Sequence, residues 1–212
     1  REKTGGIMSG IKIAVLISGG GTNLQALIDK VEAGGIDGEI SLVISNKKDA
    51  YGLVRAREHG IKSMVLERNS YESREKRDEA LLEILEENET HLIVLAGYLA
   101  IVPDIIIEKY RNKIMNIHPS LIPSFCGNGF YGEKVHEAVL GRGVKVTGAT
   151  VHFVNEVTDG GPIILQETVA VDFDDDVKSL QQKVLKIEHK LLPLAVKLFA
   201  EGRLKVIGNR VK

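Results

Sequence analysis

The sequence predicts an α/β protein with a doubly wound, mostly parallel twisted sheet, helices on both faces and antiparallel strands near the C-terminal part. Two observations predict this class. Over the first 117 residues, short apolar runs alternate with segments of helical periodicity, which favours right-handed crossovers and a parallel sheet. After that point the alternation stops, and two strand-like segments follow one another across a turn.

Five strands are predicted in the first part of the chain, because each segment is a short apolar run without helical spacing. The first, IKIAVLIS, is almost continuously apolar, as expected of a strand buried on both faces. In chain order the five segments are residues 11–18, 40–45, 62–66, 92–96 and 113–117.

Four helices are predicted between these strands. The first has Leu24, Leu27, Ile28 and Val31 on one face, and the third has a buried stripe within residues 80–85. The fourth is short and begins after a proline. The four segments are residues 22–32, 50–59, 71–88 and 104–110.

The last part of the chain contains a Pro/Gly-rich loop, a helix, two strands and a final long helix. The loop NEVTDGGP separates the strands. An acidic run before the final helix is predicted to cap it. Pro193 predicts a kink or a break in that helix. The helices are residues 134–140 and 177–200, and the strands are residues 145–154 and 163–171.

Composition narrows the class of protein. Of 212 residues, 43% are apolar and 27% are charged, which is typical of a soluble globular chain. The net charge of −1 gives no general attraction to nucleic acid, and we find no apolar run long enough to span a membrane. The single cysteine, Cys126, favours a cytoplasmic location. Residues 1–10 are expected to be a disordered tail or a cloning remnant, and residues 11–212 a single domain.

The first motif is Ser18-Gly19-Gly20-Gly21-Thr22-Asn23, between the first strand and the first helix. Glycines allow a ligand to approach the backbone closely, and the following helix N-terminus offers free N–H groups to an anion. A plain tight turn capped by Thr22 or Asn23 is the alternative. The spacing fits neither the dinucleotide fingerprint nor the P-loop, so a small phosphorylated molecule is favoured over NAD or ATP.

The second motif is Asn116-Ile117-His118-Pro119-Ser120, at the C-terminal end of the fifth strand. Ligands of open α/β sheets bind beyond this end, and residues two apart on a strand face the same side. An amide donor beside an imidazole can stabilise an oxyanion and move a proton. Asp159, in the turn Thr158-Asp159-Gly160-Gly161-Pro162, is an acid that could orient that imidazole or could simply be a turn residue.

These motifs, in this order, resemble the phosphoribosylglycinamide formyltransferases of the folate-dependent formyltransferase superfamily. The matching segments are VLISGGGTNLQALID, VLAGYLAIV, MNIHPSLIPSF and VKVTGATVHFVNEVTDGGPIILQ. The resemblance covers residues 11–205 and implies the formyltransferase fold. It implies a nucleotide-binding half over about residues 11–110 and a folate-binding, catalytic half over about residues 111–205.

The resemblance also implies an activity and roles for residues. The activity is transfer of a formyl group from 10-formyltetrahydrofolate, without a metal, to the amine of 5′-phosphoribosylglycinamide in purine biosynthesis. Asn116, His118 and Asp159 match the catalytic trio. The residues that match substrate contacts are Gly21, Thr22, Asn23, Arg74 and Glu188. Those that match the folate wall and its covering loop are Leu95, Tyr98, Leu99, Ile101, Val102, Val154 and Asn155.

This chain departs from the family pattern at two places. Leu99-Ala100 replaces a Met-Arg pair of some members, and the loop after NIHPSLIP is longer, reading SFCGNGFYGEKVHEAV. The alternative functions are a formyltetrahydrofolate hydrolase, another formyltransferase such as the methionyl-tRNA enzyme, a non-catalytic nucleotide-binding module and an NAD-linked reductase. The expected partners are the two small-molecule substrates, without nucleic acid or membrane, in a monomer or a homodimer.

Overall fold

A computed structural model describes residues 10–212, so the predicted N-terminal tail lies, apart from Gly10, outside the described residues. The strands are β1 Ile11–Ile17, β2 Gly38–Ser45, β3 Ser63–Val65, β4 Leu92–Leu95, β5 Ile114–His118, β6 Val146–Phe153, β7 Ile163–Ala170, β8 Val206–Ile207 and β9 Arg210–Val211. The helices are α1 Thr22–Glu32, α2 Tyr51–Glu58, α3 Arg74–Glu87, α4 Asp104–Lys109, α5 Glu133–Arg142 and α6 Val177–Ala200.

The strands form one sheet in the order β3-β2-β1-β4-β5-β6-β7-β9-β8. The first five pair in parallel, whereas β6 pairs antiparallel with both β5 and β7. The predicted fold class is therefore confirmed. The strand order reverses between β1 and β4, so the loops that leave these two strands diverge and open a crevice at their carboxyl ends.

The sheet is covered on both faces by separate apolar cores. Alternate residues of β1 divide between them: Ile13, Val15 and Ile17 pack with α1, α2 and α6, whereas Ala14 and Leu16 pack with α3 and α4. Strand residues therefore bury both of their faces, which explains the nearly continuous apolar runs in the sequence. This burial fixes the strand ends that carry the candidate site.

The predicted third helix begins too early. Residues 68–70 form a 3-10 turn, and α3 begins only at Arg74. The reason is local, because the Ser73 hydroxyl accepts a hydrogen bond from the Lys76 N–H and so caps the helix. The two-residue strands β8 and β9 were not predicted, since segments so short carry no periodic signal.

Of the predicted kink or break at Pro193, the break is wrong, because the 24-residue helix α6 continues through this proline. A proline removes one helical donor, but Leu191, Leu192 and Val196 are buried against the sheet on both sides of it. This tertiary packing holds the helix together where local preference alone predicts a break. The capping prediction is confirmed, because Asp176 and Ser179 form a reciprocal capping box at the start of α6.

Candidate active site

The crevice at the switch between β1 and β4 is closed at its base by a hydrogen-bonded serine. Ser18, the residue after β1, is 4% exposed. Its hydroxyl donates to Asn46 Oδ1 at 2.6 Å and accepts from the backbone N–H of Leu99 at 2.8 Å. The Gly-rich loop after β1 and the loop after β4 are therefore joined at the point where ligands of doubly wound sheets bind.

The three residues predicted as catalytic meet beside this crevice. Asn116 and His118 lie two apart near the carboxyl end of β5, so their side chains share one face of the sheet. Asp159 reaches them from the turn between β6 and β7, and its Oδ2 lies 3.7 Å from His118 Nδ1. The side chains of His118 and Asp159 are 5% and 10% exposed, so water screens their charges weakly.

The imidazole of His118 is held in one tautomer by a backbone carbonyl. Its Nε2 lies 2.9 Å from the carbonyl oxygen of Phe125, an acceptor, so Nε2 carries the proton of the neutral ring. The unprotonated Nδ1 then faces Asp159. Burial lowers the pKa of His118 below its ordinary value, although the Phe125 carbonyl and the Asp159 charge oppose that shift.

Two effects on the charge of His118 oppose each other. The Asp159 carboxylate favours the imidazolium, but desolvation of the buried ring outweighs it. The ring is therefore mainly neutral at pH 7, and its unprotonated Nδ1 is available as a base.

The Asp159 carboxylate also accepts a hydrogen bond from the lengthened loop after β5. The Gly127 N–H donates to Asp159 Oδ2 at 2.8 Å. Burial acts to raise the pKa of the Asp159 carboxyl, but His152, His118 and the Gly127 N–H together hold it below its usual value. Asp159 is thus an anion at neutral pH. Its backbone lies in the left-handed region, with a φ of 54°.

Sequence reasoning missed His152, a buried residue of β6. It pairs directly with Asn116 across the antiparallel β5–β6 ladder, and its Nε2 lies 3.2 Å from Asn116 Nδ2. Its Nδ1 lies 2.8 Å from the carbonyl oxygen of Phe153, which assigns the proton of the neutral ring to Nδ1. In the neutral ring, His152 Nε2 therefore accepts from the Asn116 amide and determines which way that amide faces. The same nitrogen lies 3.6 Å from Asp159 Oδ1 and stabilises that carboxylate when the ring is protonated.

A cavity of about 520 Å³ lies against these groups, and we call it the apolar cavity. Its volume is in the range of small-molecule sites. Its walls come from the loop after β4, the loop after β6 and the lengthened loop 124–133. All seven residues predicted to hold the folate line it, namely Leu95, Tyr98, Leu99, Ile101, Val102, Val154 and Asn155. Asn116, His118 and Asp159 line the same cavity.

The Gly-rich loop leads into α1 without a side-chain cap. Gly21 occupies the N-cap position with a φ of 71°, and the first helical hydrogen bond runs from Gln25 N–H to the Gly21 carbonyl. The N–H groups of Thr22, Asn23 and Leu24 therefore have no helical acceptor. This geometry contradicts the alternative of a turn capped by Thr22 or Asn23.

Asn23 instead bonds to Glu188 of α6. Asn23 Nδ2 donates to Glu188 Oε2 at 2.7 Å, and burial raises the pKa of the Glu188 carboxyl to about 7. Asn23 Oδ1 is buried and has no protein partner among residues 10–212. Two predicted substrate residues, far apart in sequence, are thus brought together.

Among residues 10–212, Arg74 forms no hydrogen bond or ion pair with the Gly-rich loop. It starts α3, is largely exposed and lies 3.5 Å from Asp78, with which it forms an ion pair one helical turn away. No set of three or more His, Cys, Asp or Glu residues within residues 10–212 is grouped to hold a metal ion.

Comparison with known proteins shows the family of this chain. Residues 11–196 match the formyl transferase family. The chain belongs to that family. It is 42% identical over 198 residues to the phosphoribosylglycinamide formyltransferase of Haemophilus influenzae, covering 93% of this chain and 91% of that protein. The Escherichia coli protein of the same name is 39% identical, with 94% and 92% coverage.

Structural and longer relatives agree with this assignment. The crystal structure of glycinamide ribonucleotide transformylase 1 from Symbiobacterium toebii has a TM-score of 0.91 and 45% identity, covering 97% of this formyltransferase and 94% of that chain. The trifunctional purine biosynthetic protein adenosine-3 of Gallus gallus is 45% identical over 196 residues, covering 92% of this chain but only 19% of that protein. A formyltetrahydrofolate deformylase from Pseudomonas syringae shares the fold at 25% identity, with a TM-score of 0.87 and coverage of 96% of this chain and 66% of that chain.

Proposed function

We propose that this formyltransferase moves a formyl group from 10-formyltetrahydrofolate to the amine of 5′-phosphoribosylglycinamide, a step of purine biosynthesis. The observation that carries the proposal is the placement of Asn116, His118 and Asp159 at one end of the apolar cavity. The Gly-rich loop lies across the Ser18 hydrogen bonds from that cavity. One site thus offers an apolar wall for a pteridine and free N–H groups for a phosphate.

The neutral His118 ring is suited to accept a proton. An α-amine titrates at about pH 7.7–8.0, so its ammonium form must first release one proton to solvent before the free amine can attack. As its nitrogen bonds to the formyl carbon, Nδ1 of His118 takes a proton from it. The resulting imidazolium is stabilised by Asp159, 3.7 Å away, and by the Phe125 carbonyl. His118 then returns the proton to N10 of the folate as the bond between the formyl carbon and N10 breaks.

Asn116 supplies a hydrogen-bond donor for the tetrahedral oxyanion. One N–H of its amide is directed to His152, and the second is left for the substrate. Removal of one such donor typically lowers turnover about 10²–10³-fold. The step balances without an activated serine or cysteine and without an external reductant or oxidant.

Three alternative functions compare less well with the site. A hydrolase would use the same trio with water, and the deformylase fold match makes this the nearest alternative. A reductase is disfavoured because Leu24 stands where the dinucleotide fingerprint needs its third glycine. A pure binding module would not need Asn116, His118 and Asp159 buried together.

The deciding experiment follows tetrahydrofolate release from 10-formyltetrahydrofolate with and without 5′-phosphoribosylglycinamide. We expect release only with the amine substrate, and a formylated product of matching amount. The control is His118→Asn, which should abolish transfer but bind the ribonucleotide normally in calorimetry. Equal release without the amine would establish hydrolysis and contradict the proposal.

We also propose a location and an assembly for this protein. It is a cytoplasmic monomer or homodimer that acts on these two small molecules. Among residues 10–212, none of the helices combines the length and the apolar character needed to cross a membrane.

A further inference from the structure

Helix α2 holds the Gly-rich loop from the side away from the apolar cavity. The N–H of Gly52, in the first turn of α2, donates to the Gly19 carbonyl at 3.0 Å. One turn later, Nε of Arg55 donates to the Gly20 carbonyl at 2.8 Å. Two successive carbonyls of the loop are therefore bound by one helix.

These two bonds determine where the loop's N–H groups point. In a trans peptide the C=O and the following N–H point in opposite directions. Since the carbonyls of Gly19 and Gly20 face α2, the N–H groups of Gly20 and Gly21 face away from it. A side chain at Gly19 or Gly20 would meet nothing within 4 Å, so the loop is open where α2 does not cover it.

Arg55 is itself held in place by two further contacts. Its Nη1 donates to Gln25 Oε1 of α1 at 3.1 Å, and its guanidinium lies 5.1 Å from the centre of the Tyr51 ring. The backbones of Gly21 and Gly52 also pack tightly, because a Cβ added to Gly21 would lie 2.7 Å from Gly52 Cα. The guanidinium thus bridges the loop and the first turns of α1 and α2.

We propose that Arg55 is the positioning residue of the phosphate loop: it binds the Gly20 carbonyl and thereby aims the Gly20 and Gly21 N–H groups at the substrate phosphate. The inference rests on the proposed function, which assigns a phosphate to this loop. Arg55 acts through the backbone rather than by contact with the substrate, so the planar Nε–H geometry matters in addition to the charge.

The test uses inorganic phosphate as the probe and follows the amide resonances of Gly20 and Gly21 in ¹⁵N-labelled protein. Arg55→Met removes the donors but keeps an unbranched aliphatic stem, and Arg55→Lys keeps the charge without the Nε–H. Arg57→Met, at an exposed position of the same helix, is the matched control. Thermal unfolding of each variant checks that the fold is intact.

We expect the Gly20 and Gly21 amide resonances to shift in Arg55→Met before any ligand is added. Its Kd for phosphate and its KM for 5′-phosphoribosylglycinamide should rise about tenfold, equivalent to about 1.4 kcal/mol. The value of kcat and the KM for 10-formyltetrahydrofolate should stay within about twofold, as should all constants of Arg57→Met. Arg55→Lys should recover less than half of the lost phosphate affinity on the logarithmic scale.

Three results would overturn the inference, and they have two different causes. Full recovery by Arg55→Lys, or unchanged phosphate binding in Arg55→Met, would show that Arg55 does not orient the loop, while formyl transfer could still occur. A wild-type loop whose amides do not respond to phosphate would overturn the phosphate assignment itself.

Discussion

Asn116 and His152 lie directly opposite each other on the antiparallel strands β5 and β6, with Asn116 Nδ2 3.2 Å from His152 Nε2. The histidine is held by the Phe153 carbonyl, so its acceptor nitrogen is fixed toward the amide. The Asn116 amide group is otherwise free to rotate by half a turn, which would present its oxygen instead of its N–H to the substrate. His152 is thus placed to set the polarity of the oxyanion site.

The first prediction follows from that pair. His152→Ala should lower kcat about tenfold, the effect of losing about 1.4 kcal/mol of transition-state stabilisation. Asn116→Ala should lower it about 10²–10³-fold. The double variant should be no worse than Asn116→Ala alone, because His152 acts through the amide. Additive losses in the steady-state kinetics of this double-mutant cycle would assign His152 a role independent of Asn116.

The second prediction concerns Asp159→Asn. The His118 pKa is already lowered by burial, and Asp159 is one of the groups that oppose this. Removing the charge should therefore lower the His118 pKa further and move the acid limb of kcat/KM to lower pH. Turnover should fall about 10²-fold or more, because the imidazolium formed in the reaction loses its counter-ion.

Two-dimensional NMR titration of His118 in both proteins is the direct measurement for that variant. Asparagine tolerates the positive φ of this position and can still accept from Gly127, so the turn should survive. Ribonucleotide affinity serves as the control and should be nearly unchanged. An identical His118 pKa in the two proteins would reduce Asp159 to a turn residue.

The third prediction separates binding from folding within the Gly-rich loop. Gly21 has a φ of 71°, and an added Cβ would lie 2.7 Å from Gly52 Cα, so Gly21→Ala should destabilise the fold by about 1–2 kcal/mol or more. An added Cβ at Gly20 meets only open space. Gly20→Ala should therefore unfold like the wild type but bind the ribonucleotide more weakly, without change in folate binding. Calorimetry and urea unfolding of both variants test this, and unchanged ribonucleotide affinity in Gly20→Ala would exclude close backbone approach there.

The fourth prediction uses the buried Glu188 carboxyl, whose pKa is raised from 4.5 to about 7 by burial. The native state then binds more protons than the unfolded state between these two pH values, so stability falls as pH rises through this window. The difference corresponds to about 3 kcal/mol, because each pKa unit is worth about 1.36 kcal/mol. Glu188→Gln removes this dependence.

Urea unfolding at pH 4.5, 6 and 7.5 should show the difference. Relative to wild type, Glu188→Gln should gain stability progressively from pH 4.5 to pH 7 and no further above it. Glu137→Gln, at an exposed position of α5, is the matched control and should show no such gain. A parallel pH profile for wild type and Glu188→Gln would mean that the carboxylate ionises normally in the fold.

Much of the fold follows from local pattern. The apolar runs of β1 and β4 predict strands buried on both faces, and the structure places two cores around them. The start of α3 and the continuity of α6 could not be predicted in the same way. The Ser73 side chain caps α3 and so places its start after the residues predicted to begin it. Buried neighbours of Pro193 keep α6 continuous although the proline lacks a backbone N–H.

The fold class could be predicted from the sequence, because the alternation of apolar runs and helical segments is a local property. Strand-end and turn motifs also pointed to Asn116, His118 and Asp159, which line one cavity in the structure. Three relationships became visible only in the folded chain: His152 faces Asn116, the Phe125 carbonyl selects the His118 tautomer, and Asn23 meets Glu188. These facts depend on antiparallel register and on contacts between distant segments. The direction of the His118 pKa was decided there too, since desolvation is set by what surrounds a group and not by its neighbours in sequence.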